Sequence, residues 1–164
     1  MASTAEARAE IALPIETCWE KLRDLSRAVH YVPGLTGCTI TTEQREGVGA
    51  SRVVESAQAG AVNETVTQWR EGQGFEIRLH KGDSPPFPFA EALFTYELVA
   101  QGEVCEIHTR MDYTLAYGVV GQLLDLLIVR RTMSKNIRAV AEGLAAYYER
   151  DEAHNKGSND GQDR

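Results

Sequence analysis

At 164 residues the chain has the length of one domain, and a chain of that size buries roughly 70% of its unfolded surface, which supports one core and not two. Hydrophobic residues at 43% and charged residues at 25% exclude disorder over most of the length. The formal charge of -7 argues against nucleic acid or an anionic membrane as a partner, because both require a basic face to displace counterions.

The chain opens Met-Ala-Ser-Thr-Ala-Glu-Ala-Arg, without the basic start and apolar run of a secretory signal, so the cytoplasm is the expected compartment. Cys18, Cys38 and Cys105 are an odd number with no pair close in sequence, a usage that suits reduced thiols. Ala5, Ala7, Ala9 and Ile11 alternate with polar or small neighbours, the period of a strand with one buried face. Pro14 then stands at a helix start, and Ile15, Cys18, Trp19, Leu22 and Leu25 recur at helical spacing. Residues 28–32 add a further turn, which Pro33-Gly34 stops. Two short helices therefore follow the first strand.

Six more strands are expected over residues 35–43, 50–58, 62–70, 74–81, 91–100 and 104–115. Short glycine- or proline-rich dividers separate them, as in consecutive hairpins. Phe75, Ile77 and Leu79 alternate with Glu76, Arg78 and His80, and Cys105, Ile107, Thr109, Met111 and Tyr113 with Glu106, His108, Arg110 and Asp112. One face of the sheet is thus apolar. Residues 119–150 form the longest helical pattern, with Leu126, Met133, Ile137, Val140, Leu144 and Tyr147 or Tyr148 on one stripe. Gly121, Gln122 and Asp125 interrupt its apolar start, so no run reaches the ~18 apolar residues of a spanning helix, and stable membrane insertion is not expected. Residues 151–164 are polar and are expected to form a disordered tail behind a single domain over 1–150.

The implied fold class is α+β: a seven-stranded curved antiparallel sheet wrapped around a long C-terminal helix, with two short helices between strands one and two. A helix about 10 Å wide cannot fill the concavity of a strongly bent sheet. Either a cavity remains between the two, or the core closes around Phe75, Phe94, Tyr96, Met111 and Trp19.

This order of elements resembles the helix-grip fold of the START-like (SRPBCC) superfamily, which includes polyketide cyclases and dehydrases, lipid-transfer START domains, birch-pollen allergens and plant abscisic-acid receptors. Pro14-Ile15-Glu16-Thr17-Cys18-Trp19-Glu20-Lys21-Leu22 is similar to the first helix of the polyketide cyclase/dehydrase group, and His30-Tyr31-Val32-Pro33-Gly34 to its second helix and the turn after it. Gly47-Val48-Gly49-Ala50-Ser51-Arg52 is similar to the hairpin entering the third strand, Asn63-Glu64-Thr65-Val66-Thr67-Gln68-Trp69 to the fourth strand, and residues 121–131 to the start of the long helix. The resemblance implies a hydrophobic pocket between helix and sheet.

Arg52 and Glu64 match positions where such relatives carry inward polar groups, Glu64 resembling the pocket glutamate of the plant hormone receptors. They are expected to pair and orient a ligand, or else to form a structural salt bridge or face outward. Phe75, Ile77, Phe94 and Met111 are expected on the pocket wall, with Tyr96, Thr109, Tyr113 and Tyr117 offering hydroxyls or serving as ordinary core. Phe87 and Phe89, in the proline-rich stretch 83–89, are expected as an apolar lid or as a stiff connection. Trp69 is off the Glu64, Val66, Gln68 parity and is expected on the other face or under a loop edge.

His30, His80, His108 and His154 are scattered, without the spacing of a metal site. No nucleophile elbow, phosphate loop or complete dinucleotide fingerprint is present, so neither metal nor cofactor is expected. Arg130, Arg131, Lys135 and Arg138 read as a solvated helix face, and the apolar residues just before them suit a homodimer contact. Three functions remain in view. The first is binding, and transport, of a small hydrophobic or lipid-like ligand. The second is a polyketide cyclase/dehydrase-type enzyme using Glu64, Arg52 or a tyrosine for acid–base chemistry. The third is an interaction protein that docks on a larger complex. The absence of a visible catalytic constellation places binding first.

Overall fold

Seven runs of alternating residues become seven strands, and the stripe near the C-terminus becomes the helix that covers them. The computed structural model describes residues 2–116, 118, 120 and 128–159. Their order is β1 (Ser3–Ile11), α1 (Ile15–Leu22), a 3₁₀ helix (Leu25–His30), β2 (Leu35–Ile40), β3 (Ser51–Ser56), β4 (Gly60–Arg70), β5 (Gly74–His80), β6 (Phe89–Gln101), β7 (Val104–Leu115) and α2 (Arg130–Asn159). The strands form one antiparallel sheet in the order β1-β7-β6-β5-β4-β3-β2. This is the helix-grip architecture.

Consecutive strands from β2 to β7 are neighbours, as short connections dictate, while β1 joins the far side of β7. The chain must therefore cross from one edge of the sheet to the other between β1 and β2. Helix α1 and the 3₁₀ helix make that crossing. Pro14 precedes α1 where its missing N–H costs nothing, and Cys18, Trp19 and Leu22 turn inward at helical spacing. The Asp24 carboxylate accepts from the Ser26 backbone N–H at 3.1 Å and caps the 3₁₀ turn. Burial of Leu22, Leu25 and Trp19 is worth roughly 1.5–3 kcal/mol per large apolar side chain and fastens the crossing to the sheet.

Helix α2 lies against β1 and β7. Thr109 Oγ1 donates to the Ile137 carbonyl at 3.3 Å, and the Ala12 N–H donates to Glu149 Oε1 at 2.8 Å. Ile137, Val140, Ala141, Leu144 and Tyr148 are its buried face, while Arg130, Arg131, Lys135 and Arg138 are exposed. Gly143 lets the helix approach the crossing: a Cβ there would stand 2.6 Å from the Tyr31 carbonyl oxygen. Gly74 does the same for the sheet, with φ +152° and a hypothetical Cβ 2.0 Å from the Tyr96 carbonyl oxygen.

Strands β2 and β3 are shorter than expected and β4 begins earlier, and two further boundaries differ. Strand β6 begins at Phe89, which shortens the proline-rich connection, and α2 continues beyond residue 150 to Asn159. Residues 151–159, expected as part of a disordered tail, are helical. The physical reason is Lys21, which is buried in α1 and ion-paired with Asp151, with Glu152 Oε2 at 3.4 Å. A buried ammonium needs such partners. Residues 160–164 lie outside the described residues, as do Tyr117, Leu126 and most of the expected start of the long helix.

Two measurements test this packing. Gly143→Ala gains about 1 kcal/mol of helix propensity but forces a methyl onto a backbone oxygen. Urea unfolding should show a net loss of ~1–3 kcal/mol; a gain would mean that α2 does not sit this close. The second concerns pH: hydrogen bonding to Lys21 holds the Asp151 carboxyl below its ordinary value. A depressed folded-state pKa contributes stability that is complete above the unfolded value of about 3.9 and is lost as pH falls through the folded value. Asp151→Asn should therefore lower Tm at neutral pH, with the difference from wild type closing below about pH 4.

Candidate functional site

The antiparallel register lines up inward side chains in transverse rows. One row runs Ile40, Arg52, Glu64, Leu79 across β2 to β5. The next runs Val66, Ile77, Phe94, Met111, Ala5, and a third Phe75, Tyr96, Thr109, Ala7. Phe75, Ile77, Phe94, Tyr96, Thr109, Met111 and Tyr113 are all buried. The alternation read from the sequence therefore places these residues on the face that the helices cover.

Arg52 stands among these apolar rows with only 1% of its surface exposed. Its Nε donates to Glu64 Oε2 at 2.6 Å, and its Nη1 donates to the Leu25 carbonyl at 2.5 Å. Burial opposes the charge, but Glu64 outweighs it and holds the guanidinium well above its ordinary value, so Arg52 stays charged. A carbonyl oxygen has two lone pairs, so Leu25 at the start of the 3₁₀ helix can accept from Arg52 whatever else it bonds. Cys38 Sγ, at 3.5 Å, reaches the same oxygen. The pair is thus held by the crossing segment as well as by the sheet.

Two hydroxyls, those of Tyr31 and Tyr148, lie buried in the same interior without a hydrogen-bond partner among the described residues. The Tyr31 ring stands edge-on to Tyr96 at 6.1 Å and to Tyr148 at 6.4 Å. Burial pushes all three phenols above their ordinary values, at Tyr31 against the opposing pull of the Arg52 charge, so at neutral pH each keeps its proton. Buried polar groups are rarely left unpaired. Glu64 Oε2 already accepts from Arg52.

A groove of about 500 Å³ opens beside this cluster, lined by Val32, Pro33, Leu35, Ser56, Gln58 and Val140. It lies between the exit of the 3₁₀ helix, the β3–β4 hairpin and α2. Val32 follows Tyr31 directly in the chain. A second pocket of about 360 Å³ lies under the β5–β6 connection and includes Arg78, His80, Asp83, Ser84 and Glu91. His80 is committed there to Thr65 Oγ1 at 2.8 Å and to the Gly82 carbonyl at 2.7 Å. Among the described residues no group of three or more His, Cys, Asp or Glu side chains is placed to hold a metal ion, and no helix is long and apolar enough to cross a membrane.

Some expectations need correction. The expected pair of lid aromatics separates: Phe87 is 77% exposed, whereas Phe89 is drawn into β6 and packs edge-on against Tyr113 at 5.6 Å. Trp69, expected on the other face or under a loop edge, is on the inner face. A register shift between Val66 and Gln68 inserts one residue and reverses the parity after it, so Trp69 stacks on Phe75 at 5.6 Å and meets Trp19 at 5.0 Å. Tyr117 lies outside the described residues. Tyr31 and Tyr148 were not among the expected site residues, although signals existed: Tyr31 directly precedes Val32-Pro33-Gly34, and Tyr148 falls four residues after Leu144 on the helical stripe.

A family model described as polyketide cyclase / dehydrase and lipid transport matches residues 2–149. No curated protein sequence matches. Solved structures share the fold. A START superfamily protein from Mycobacterium smegmatis is 16% identical with a TM-score of 0.70, covering 90% of this chain and 97% of its own. TTHA0849 from Thermus thermophilus is 21% identical with a TM-score of 0.67, covering 89% and 97%. A point mutant of Thalictrum flavum norcoclaurine synthase, solved with a transition-state analogue, is 15% identical with a TM-score of 0.67, covering 93% and 97%.

The ion pair gives a direct test. Arg52→Met leaves Glu64 and the Leu25 carbonyl without their counterpart, and urea unfolding should show a loss of ~3–5 kcal/mol. Adding Glu64→Leu should recover most of it, since removing both charges also removes the desolvation cost. A loss below about 1 kcal/mol in the single variant would mean that the pair is solvated.

Proposed function

Because the chain belongs to the polyketide cyclase / dehydrase and lipid transport family, we propose that it binds and carries a small, mostly apolar molecule between the sheet and α2. The ligand enters by the groove beside Val32 and Ser56. One observation carries the reading: the Tyr31 and Tyr148 hydroxyls are buried without partners in an otherwise apolar interior that also holds the charged Arg52. A ligand that brings a carbonyl, carboxylate or other acceptor on a hydrophobic frame supplies what this interior lacks. Apolar rows of Ile77, Phe94 and Met111 would take the frame, and the charged donor would orient the acceptor.

An enzymatic reading draws on the same donors. Neutral phenols and a fixed guanidinium polarise a carbonyl, which favours enolisation in an aldol cyclisation and dehydration. Turnover of a poly-β-ketone substrate, followed by the change in its ultraviolet absorption, distinguishes it from carriage alone. Docking on a larger complex, the third function, has no residue pattern here that favours it, and pull-down from cells would detect it.

Native mass spectrometry of the purified protein, beside a denatured run, should show an extra non-covalent mass that denaturation removes. Repeated absence of that mass after mild purification would sink the carrier reading. Tyr31→Phe sharpens the test. Deleting an unpaired buried hydroxyl should leave the unliganded protein as stable or up to ~1 kcal/mol more stable, while loss of one ligand hydrogen bond weakens retention about 5–10-fold. Unchanged occupancy in this variant would remove Tyr31 from the site.

A further inference from the structure

Cys18 and Cys105 are 87 residues apart in sequence, and nothing in the ligand site uses them. Strand β1 ends with Ile11 opposite Cys105. The turn through Leu13 and Pro14, closed by a Leu13 N–H to Ile11 carbonyl bond of 2.8 Å, folds α1 back over the start of β7. Cys18, in the first turns of α1, comes down on Cys105. Their sulfurs are 2.8 Å apart, and both side chains are fully buried. A disulfide needs about 2.05 Å between sulfurs, so closure asks for a shift of less than ~1 Å. Cys38, the third thiol, is half-buried and bonded to the Leu25 carbonyl.

We propose that Cys18 and Cys105 form a modification site: a dithiol that a hydroperoxide oxidises to a disulfide, clasping α1 to β7. One of the two sulfurs, as thiolate, attacks the terminal oxygen of the hydroperoxide. The O–O bond breaks, the alkoxide leaves and takes up a proton, and that cysteine becomes a sulfenic acid. The other sulfur then attacks it and displaces its hydroxide, which leaves as water with the second thiol's proton. Two thiols and one hydroperoxide give a disulfide, an alcohol and water; with hydrogen peroxide the products are the disulfide and two waters. The two sulfurs are in contact, so whichever is oxidised first has its resolving partner in place.

The bond would close a long loop and tie down the segment whose Leu25 carbonyl holds Arg52. Constraint of a loop this long should raise Tm by roughly 10 °C. The full-length protein is treated with hydrogen peroxide, quenched, denatured and alkylated, then digested with trypsin without reduction. One thiol of three should alkylate, and peptides 9–21 and 82–110 should appear joined. Dithiothreitol should restore three alkylated thiols and the original Tm. Cys38→Ser should keep the cross-link and the Tm rise, and Cys105→Ala should lose both. Three alkylated thiols after peroxide, a cross-link through Cys38, or Cys105 recovered only as sulfinic or sulfonic acid would each overturn the proposal. The peptide readout uses the wild-type chain, so it stands even where a cysteine variant fails to fold.

Discussion

Strands β1 and β2 follow one another in the chain but occupy opposite edges of the sheet, and the short segment that joins them sets the interior. It has to run across the concave face, because that is the face with apolar side chains to cover. In doing so it brings Trp19 onto Trp69, Cys18 onto Cys105 and the Leu25 carbonyl onto Arg52. Helix α2 then has to pack beside a backbone already in place, which is why a glycine faces Tyr31. The two covers are joined at their ends by Lys21 and its two carboxylates. A sheet with one apolar face is thus closed by two separate pieces, and the hydroxyls without partners lie where those pieces meet.

An ion pair in an apolar interior is not there for stability alone. Desolvating two charges costs several kcal/mol, and a hydrophobic pair of similar volume would often serve as well. Arg52 recovers part of that cost from Glu64 and from the Leu25 carbonyl. Two buried phenols add hydroxyls that a phenylalanine would not need. Each feature is costly for a closed core, and on the proposed function each would hold a polar group of a guest. The apolar rows on either side make the complementary demand, that the rest of the guest be hydrophobic.

Period-two alternation made the inner face of the sheet legible from residues alone, because a strand in regular register has only two choices for each side chain. Phe75, Ile77, Phe94, Tyr96, Thr109 and Met111 were legible for that reason, and Arg52 and Glu64 for the added reason that they resemble inward polar positions in related chains. Trp69 was not, since one inserted residue reverses the parity and leaves no mark in composition. Tyr31 and Tyr148 carry ordinary core patterns; their importance is that their hydroxyls lack partners, a property of three-dimensional surroundings. The contact of Cys18 with Cys105 depends on how a three-residue turn aims a helix. The helical run past residue 150 depends on one buried lysine far away in the chain.

The crossing segment links the stability of the fold to the polar centre. Leu25 is held by its own burial, by the Asp24 cap on the turn and by the helix before it, and its carbonyl fixes one arm of Arg52. If the segment lifts away from the sheet, Arg52 keeps Glu64 but loses that arm. Loosening of α1 or of the Lys21 contact therefore reaches the buried ion pair without touching either of its side chains. The groove beside Val32 adjoins the end of this same segment, so a movement that widens the entrance would also disturb the anchor. On the proposed function, entry and orientation of a guest would be coupled through about fifteen residues of backbone, from the middle of α1 to Pro33, and a guest that bonds to the buried hydroxyls would draw the segment closed again.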